Sequence, residues 1–562
     1  MTLRFRPFPL TGETYTQISS RFRWRVPQHF NIGTACTDAL PADGLALIHV
    51  AGANARRYTF GELAGLTNRV ANVLRGVGLE RGDRVAVVLP QIPETALAHV
   101  GAFKARLISV PLSSLFGADA LRYRLADSAT RAVVTDAEGV ERIAALDGVP
   151  ELRWIFVTDG AASSDPRVID FWRAVGEASP RFAEPLNRAD EPCMIIYTSG
   201  TTGPPKGVLH AHRVLLGQAS GFRVCHEFTP QRGDLMWTPA DWAWIGGLVN
   251  TLLLAWLHGV PMIAAPRRGF DPEWALHLLA EHGVRNAFLP TTALRMMLQC
   301  PMPPGIMLRS LVTGGEPQEV ALLEDARSRF GITFNESYGQ TEADFVIGQC
   351  ASRWPVRPGS MGLPYPGHDV QVMGPDGARS ATGEVGEVMV RAPDPTMLLE
   401  YWNRPDATRA KFLGSWLRTG DLARVDDEGY FWFEARIDDV IKSAGYRIGP
   451  DEIEESLLKH EAVANTAVVG APDSVRGQVV KAYVQLKPGY GPSAELETQL
   501  RTHVKEHLAA YQYPRLIEFV ESLPLTANGK VDRGSLRRQA AGAVIEGSGN
   551  ETSSKNVGAS AQ

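Results

Sequence analysis

The sequence predicts an α/β protein: a large N-terminal lobe of mostly parallel α/β sheets, a β-barrel-like subdomain, and a small α+β C-terminal domain. Three observations carry that expectation. Between about residues 84 and 315, short β-rich runs alternate with helical-looking stretches, the pattern of βαβ units and parallel sheets. After residue 360 the texture changes to short strands punctuated by glycine, as in an antiparallel sheet or barrel. Beyond residue 436 a helix, two strands and another helix suffice for one compact unit.

In chain order, Thr59–Gly76 reads as a helix ahead of four short aliphatic strands, Val85–Leu89, Leu107–Pro111, Ala132–Thr135 and Trp154–Val157. Leu235–Thr238, Pro261–Ala265, Ala287–Pro290 and Leu311–Val312 continue the series, with Trp274–His282 as an intervening helix. The longest apolar run, Ile245 to Leu257, is interrupted by Asn250 and ends at His258. It falls short of the ~20 residues that span a bilayer and reads as a buried helix. Gly383–Val390 and Gly429–Phe433 are the glycine-flanked strands. Asp451–Lys459 carries acids in its first turn, as a helix start favours. Strands Ala467–Val469 and Ala482–Leu486 and a helix Ala494–Leu508 complete the last unit. The predicted division is 1–436, 437–540 and a Ser/Gly-rich tail, 541–562, expected to be disordered.

Composition narrows the class. The chain has 562 residues, 44% hydrophobic and 21% charged, which excludes disordered and fibrous classes for its bulk and suggests about two to four domains. A net charge of −5 and a pI near 6.3 supply no basic field for nucleic acid. Cys36, Cys193, Cys225, Cys300 and Cys350 form no C-x-x-C pair and no metal-spaced cluster with histidine, so reduced thiols and a cytoplasmic location are expected. The first residues lack the apolar core of a secretory signal. They are acid-free until Glu13, which leaves a transit peptide as the weaker alternative. Oligomeric state stays open, homo-oligomers included.

The chemistry begins at Tyr197-Thr-Ser-Gly-Thr-Thr-Gly-Pro-Pro-Lys-Gly-Val208. Glycines 200, 203 and 207 let backbone N–H groups turn inward, Thr198, Ser199, Thr201 and Thr202 add hydroxyls, and Lys206 adds a cation. Such clusters are often plain loops. The lysine and the hydroxyl run favour a polyphosphate cradle instead, on the logic of anion-binding loops at helix starts. It is not a Walker A loop, because Gly207 follows Lys206 where Ser or Thr is needed.

Further motifs follow in one order: Thr313-Gly-Gly-Glu-Pro317, Glu336-Ser-Tyr-Gly-Gln-Thr-Glu342, Trp416-Leu-Arg-Thr-Gly-Asp421, Arg436-Ile-Asp-Asp439, Lys442-Ser-Ala-Gly-Tyr-Arg447 and Pro524-Leu-Thr-Ala-Asn-Gly-Lys530. With them the chain resembles the adenylate-forming superfamily, and within it the acyl-CoA synthetases of the medium-chain and acetyl-CoA synthetase branch. The resemblance implies an ATP-dependent carboxylic acid:CoA ligase working through acyl-AMP, with Mg²⁺ and with CoA as substrate. It implies that Thr201 and Lys206 hold the β- and γ-phosphates among Thr198, Ser199, Gly200, Thr202 and Gly203. Thr341 donates to the α-phosphate and Glu342 binds Mg²⁺. Tyr338 stacks on adenine beside Gly315, Glu316 and Pro317, with Gln340 in the same motif. Asp421 grips the ribose hydroxyls with Arg436 nearby. Lys530 reaches the reacting carboxylate and α-phosphate. A mobile C-terminal cap then pivots at Asp438, withdraws Lys530 and brings Gly445, Tyr446 and Arg447 to CoA. Taken singly, each of these residues reads as an ordinary turn or surface position; their joint order argues otherwise. The alternative is a free-standing adenylation domain that loads a carrier protein.

Two positions bear on the acid. Gly314 and Gly339 stand where acetate-specific relatives resemble a Val and a Trp that close the pocket, so a deeper slot is expected. Ile245 and Gly246 are the other wall candidates. Trp242 departs from the family's small residue and points to branched or aromatic acids, unless it is ordinary core. Leu525 departs from the lysine often found there, so control of Lys530 by acetylation has little support.

Overall fold

A computed structural model describes residues 9–52, 54–160, 163–183, 186–198, 204–315, 318, 320–437, 439–443, 446–473, 476–508, 512–526 and 530–549. Two large sheets form the N-terminal lobe. One has nine strands, in the order Leu363–Pro364, Ala343–Gly348, Asn335–Gln340, Ser310–Gly314, Asn286–Phe288, Met236–Trp237, Met262–Ala264, Leu45–Ala51 and Asn54–Thr59. Its six central strands run parallel, and antiparallel strands close both edges. The second has eight strands, with Pro192–Thr198, Ile108–Leu112, Arg84–Val88, Ala132–Thr135, Trp154–Val157 and Val168–Asp170 parallel. Lys206–Ala211 and Glu400–Tyr401 add antiparallel at its edge. The expected βαβ pattern is therefore present in both sheets.

The helix Val214–Cys225 is apolar on nearly all sides and almost wholly buried, as a helix between two layers must be. Its glycines are where neighbours touch its backbone. A Cβ at Gly217 would stand 2.2 Å from the Thr396 nitrogen, and one at Gly221 would stand 2.8 Å from the Tyr365 ring. The expected helix over the apolar run 245–257 is three joined pieces, Ile245–Gly247, a π-helix Leu248–Leu253, and Leu254–Leu257.

The glycine-punctuated region folds into a five-stranded antiparallel sheet of Val370–Met373, Gly386–Arg391, Phe412–Leu413, Trp416–Val425 and Phe431–Arg436. The last unit is another five-stranded sheet, in which Val463–Asp473 and Gly477–Leu486 form the long central hairpin. The helices Pro450–Leu458 and Ala494–His507 share one core with that sheet. One expectation needs correcting: a helix runs from Arg533 through Gly549, so the first residues of the supposed disordered tail are helical. Residues 550–562 lie outside the described residues.

The close approach at Gly217 gives a stability prediction. Gly217→Ala forces a methyl against the Thr396 backbone and lowers stability by about 1–3 kcal/mol, as overpacking in a well-filled core does. Calorimetry checks it; an unchanged unfolding midpoint would contradict the contact.

Candidate active site

The hydroxyl-rich loop joins two strands rather than opening a helix. Pro192–Thr198 and Lys206–Ala211 pair antiparallel, with Thr198 opposite Lys206, so the helix-start analogy does not describe its setting. Ser199, Gly200, Thr201, Thr202 and Gly203 lie outside the described residues. At the hairpin's mouth the Lys206 ammonium sits 5.2 Å from the Tyr401 ring centroid, and the Tyr401 hydroxyl donates to the Glu342 carboxylate. Tyr401 is held there because Glu400–Tyr401 is itself the edge strand beside Lys206–Ala211. Burial, reinforced by the Glu342 charge, pushes the Tyr401 phenol up, so it stays a donor. The buried His210 faces the Thr341 backbone, and burial pushes its imidazole down to about 3, leaving a neutral ring.

A second cluster centres on Asp421. Trp416–Val425 and Phe431–Arg436 pair so that Asp421 lies opposite Arg436, and Arg436 Nη1 donates to Asp421 Oδ1 at 2.8 Å. The other oxygen, Oδ2, accepts from the Tyr338 hydroxyl at 2.6 Å and from Gln340 Nε2 at 3.3 Å. Gln340 is fixed in turn: its amide nitrogen donates to the Thr419 carbonyl at 3.0 Å and its oxygen accepts from Lys411 Nζ at 2.8 Å. Desolvation lowers the Lys411 ammonium from its usual value, offset by the charge of Glu342. The backbone follows the same plan. Gly420 adopts φ +79°, and a Cβ there would come 3.4 Å from the Arg436 guanidinium, so glycine suits the turn that presents Asp421.

Glu336, two residues before Tyr338, is buried, and one of its carboxylate oxygens has no partner among the described residues. Burial pushes its carboxyl up to about 8. Just past the neighbouring strand Ser310–Gly314, Gly315 has φ +90°. The Lys530 ammonium, from the C-terminal unit, donates to the Gly315 carbonyl at 2.5 Å. Glu316 and Pro317 lie outside the described residues.

The glycines expected to open an acyl slot are explained differently. A Cβ at Gly314 would stand 2.2 Å from the Ser337 carbonyl oxygen, and one at Gly339 would stand 2.2 Å from Asp344 Oδ1. The space a side chain would take is already filled by the neighbouring strands, so close strand approach, not an empty pocket, calls for glycine at both. Trp242 is fully buried in the main core, which favours its reading as core. Ile245 is half-buried, and Gly246 lies against the Phe288 ring, 3.3 Å from where a Cβ would sit.

Of the cap residues, Asp438 and Gly445 lie outside the described residues. Tyr446 and Arg447 pair by backbone with Ser443 and Lys442 in a short hairpin. Nearby in the chain, Asp439 is bound to Arg537 at 3.0 Å, and Arg533 bridges Asp451 and Glu454. Sequence reasoning missed Lys411, Tyr401 and His210, which sit outside the motifs and reach the cleft only through sheet pairing. It quoted Glu336 without giving it a role.

Two of these clusters adjoin one another, with Lys411 within reach of the charges of Glu342, Arg436 and Asp421, and comparison with known proteins gives the chain a family. The AMP-binding enzyme model matches residues 38–402, and the AMP-binding enzyme C-terminal domain model matches residues 452–530. The chain belongs to the adenylate-forming family of AMP-binding enzymes. Acetyl-coenzyme A synthetase of Bacillus subtilis is 34% identical over 491 residues, 86% of this chain and 85% of that protein. The mitochondrial acyl-coenzyme A synthetase ACSM3 of Mus musculus is 32% identical over 94% of each chain. Among solved structures, the anthranilate CoA ligase AuaEII in complex with anthranoyl-AMP superposes with TM-score 0.83 at 29% identity, covering 92% of this chain and 99% of its own. A benzoate CoA ligase from Burkholderia xenovorans gives 0.79 at 27%, covering 90% and 100%. The adenylate-forming enzyme is thus an ATP-dependent acyl-CoA ligase of the AMP-forming kind, with ATP and CoA as substrates. No helix among its described residues is long and apolar enough to cross a membrane.

Glu336 gives a pH prediction. Between the usual glutamate value of 4.5 and about 8, the folded chain keeps a proton that the unfolded chain has lost. Its contribution to stability therefore falls as pH rises through that window. Glu336→Gln has no such loss, so its unfolding midpoint gains on the wild type between about pH 5.5 and pH 8. Thermal melts across that range check it, and a pH-independent difference would contradict the buried acid.

Proposed function

We propose that this ligase activates a short- or medium-chain, branched or aromatic carboxylic acid. The acid's carboxylate attacks the α-phosphorus of ATP, the bond to the β-phosphate breaks, and pyrophosphate leaves. The CoA thiol, losing its proton, then attacks the acyl carbon and AMP leaves. The observation that carries this reading is the Lys530 ammonium held at the Gly315 carbonyl, 2.5 Å away. A cation from the C-terminal unit is thereby brought against the large lobe, at the residue that follows the strand Ser310–Gly314. Charge builds on the α-phosphate oxygens during attack, and a preplaced donor offsets it.

Around that centre the chain's own groups divide the nucleotide. Asp421, whose Oδ1 keeps a lone pair beyond the one that Arg436 uses while Oδ2 already accepts from Tyr338 and Gln340, accepts from the ribose hydroxyls in exchange for part of these partners. The Tyr338 ring stacks on the base beside Gly315, Glu316 and Pro317, and Glu336, protonated near neutrality, offers both a donor and an acceptor on the same strand. Thr201, Lys206 and the rest of the hydroxyl-rich loop take the β- and γ-phosphates, and Thr341 the α-phosphate. Glu342 suits Mg²⁺, an ion that commonly takes one or two carboxylates and fills its other positions with water and substrate phosphates. Its carboxylate is buried at the loop's mouth with a single phenol engaged on one oxygen. When bound, the metal would neutralise phosphate charge.

Residues 437–540 act as the cap, pivoting at Asp438. Withdrawing Lys530 opens the adenylate to the thiol, and the hairpin carrying Gly445, Tyr446 and Arg447 turns toward CoA. The aromatic and branched range is supported by the Ile245, Gly246 and Phe288 wall. Solved neighbours named for anthranilate and benzoate point the same way.

Pyrophosphate release over a panel of C2–C12 and aromatic acids tests the assignment: a clear preference is expected, and a flat response would undo it. Lys530→Ala is expected to lower adenylation by about 10²–10³-fold while thioester formation from supplied acyl-AMP is largely kept. Equal loss of both steps would contradict the two-conformation scheme.

A further inference from the structure

Beside Gly339 the cleft carries a polar pair that the adenylation chemistry leaves unused. Asp344 follows Glu342 by two residues, and Asn250 lies on the π-helix Leu248–Leu253. Asn250 Nδ2 donates to Asp344 Oδ2 at 2.8 Å, and the Phe345 backbone N–H donates to Asp344 Oδ1 at 2.8 Å. A carboxylate accepts and does not donate, so it fixes the Asn250 amide with its nitrogen toward Asp344 and its oxygen turned away. That oxygen is buried and has no partner among the described residues. The two named donors also leave lone pairs on the carboxylate. The pair is therefore rich in acceptors and short of a donor.

The pair adjoins residues singled out above for the acid. Asp344 Oδ1 covers Gly339, where a Cβ would stand 2.2 Å from it, and the Lys530 ammonium is near enough to act on the Asp344 charge. The π-helix that carries Asn250 starts directly after Ile245–Gly247. Thr251 Oγ1 donates to the Gly246 carbonyl at 2.8 Å, tying Asn250's turn to the wall formed by Gly246 and Phe288. Irregular turns of this kind recur at functional sites.

A plain methylene or ring carbon at this place would leave buried acceptors without hydrogen bonds, which is costly, whereas a hydroxyl or amine would satisfy them. We infer that Asn250 and Asp344 form an acceptor subsite for a hydroxyl or amino group on the acyl portion, making hydroxy- or amino-substituted carboxylic acids the substrate class. This rests on the ligase reading above. A site built to hydrogen-bond a substrate O–H or N–H discriminates against the analogue lacking it far more steeply than an apolar pocket discriminates by size.

The test uses the full chain with matched acids. Benzoate is compared with its hydroxy- and aminobenzoates, and butanoate with its hydroxybutanoates, by kcat/KM for pyrophosphate release and for CoA thioester. At least one donor-bearing acid is expected to exceed its parent by about tenfold or more, and Asn250→Leu and Asp344→Ala are each expected to collapse that ratio toward one. Parent acids that match or exceed every substituted partner overturn the inference. So does a ratio that survives both substitutions, which would place selection elsewhere or reduce Asp344 to positioning Lys530. If a variant fails to fold, the wild-type ratios together with Asn250→Ala decide. A wild-type protein that releases pyrophosphate with no acid of either kind overturns the ligase reading and this inference with it; turnover of parents alone overturns only the inference.

Discussion

The Asp421 carboxylate is the interaction on which the site depends, because it ties the nine-stranded sheet to the antiparallel one, beside the bonds of Gln340 with Thr419 and Lys411. Tyr338 and Gln340 reach it from the nine-stranded sheet, and Arg436 reaches it from its own hairpin partner strand. Lys411, anchored on the Gln340 oxygen, belongs to the antiparallel sheet again. Each group is partly or wholly withdrawn from water, where charge-assisted hydrogen bonds are stronger and an unmatched charge is more costly. The network therefore fixes the angle between the two layers as well as presenting a carboxylate. A substitution at Asp421 would disturb this network along with the ribose contact proposed for it, and the KM for ATP alone would not separate those effects.

Much of this was legible in the sequence, for identifiable reasons. The alternation between residues 84 and 315 announced parallel sheets because their buried strands are continuous aliphatic runs, and the glycine-rich texture after residue 360 announced antiparallel turns. The motifs held the members of two contact groups, Tyr338, Gln340, Asp421 and Arg436 in one and Gly315 with Lys530 in the other, although they are spread over more than two hundred residues. What stayed hidden depends on pairing between distant strands. Tyr401 touches Glu342 only because a two-residue strand adds to the edge of Lys206–Ala211. Lys411 enters through a two-stranded pairing of equal brevity, Phe412–Leu413 against Trp416–Val425. Neither strand is long enough to leave a periodic trace.

The glycines show where reading by analogy misleads. Gly314 and Gly339 looked like removed side chains, and so like space. In the folded chain the strands on either side have moved into that volume, to 2.2 Å of a notional Cβ. A small residue is thus evidence of close approach at least as often as of a cavity, and only the neighbour's position distinguishes the two. The same reasoning explains Gly217 and Gly221, whose missing side chains let a helix serve as a thin spacer between layers.

The resting place of Lys530 has a consequence for ligand exchange. The Lys530 side chain is exposed, and its ammonium gives one hydrogen bond to a neutral acceptor of the other lobe. Here the Gly315 carbonyl accepts its proton, a neutral surrogate for the oxygens it is shaped to meet. Incoming substrate then replaces one acceptor with a more strongly charged one. On the proposed scheme, loading would be a swap of hydrogen-bond partners at Lys530 rather than the stripping of a bare ion.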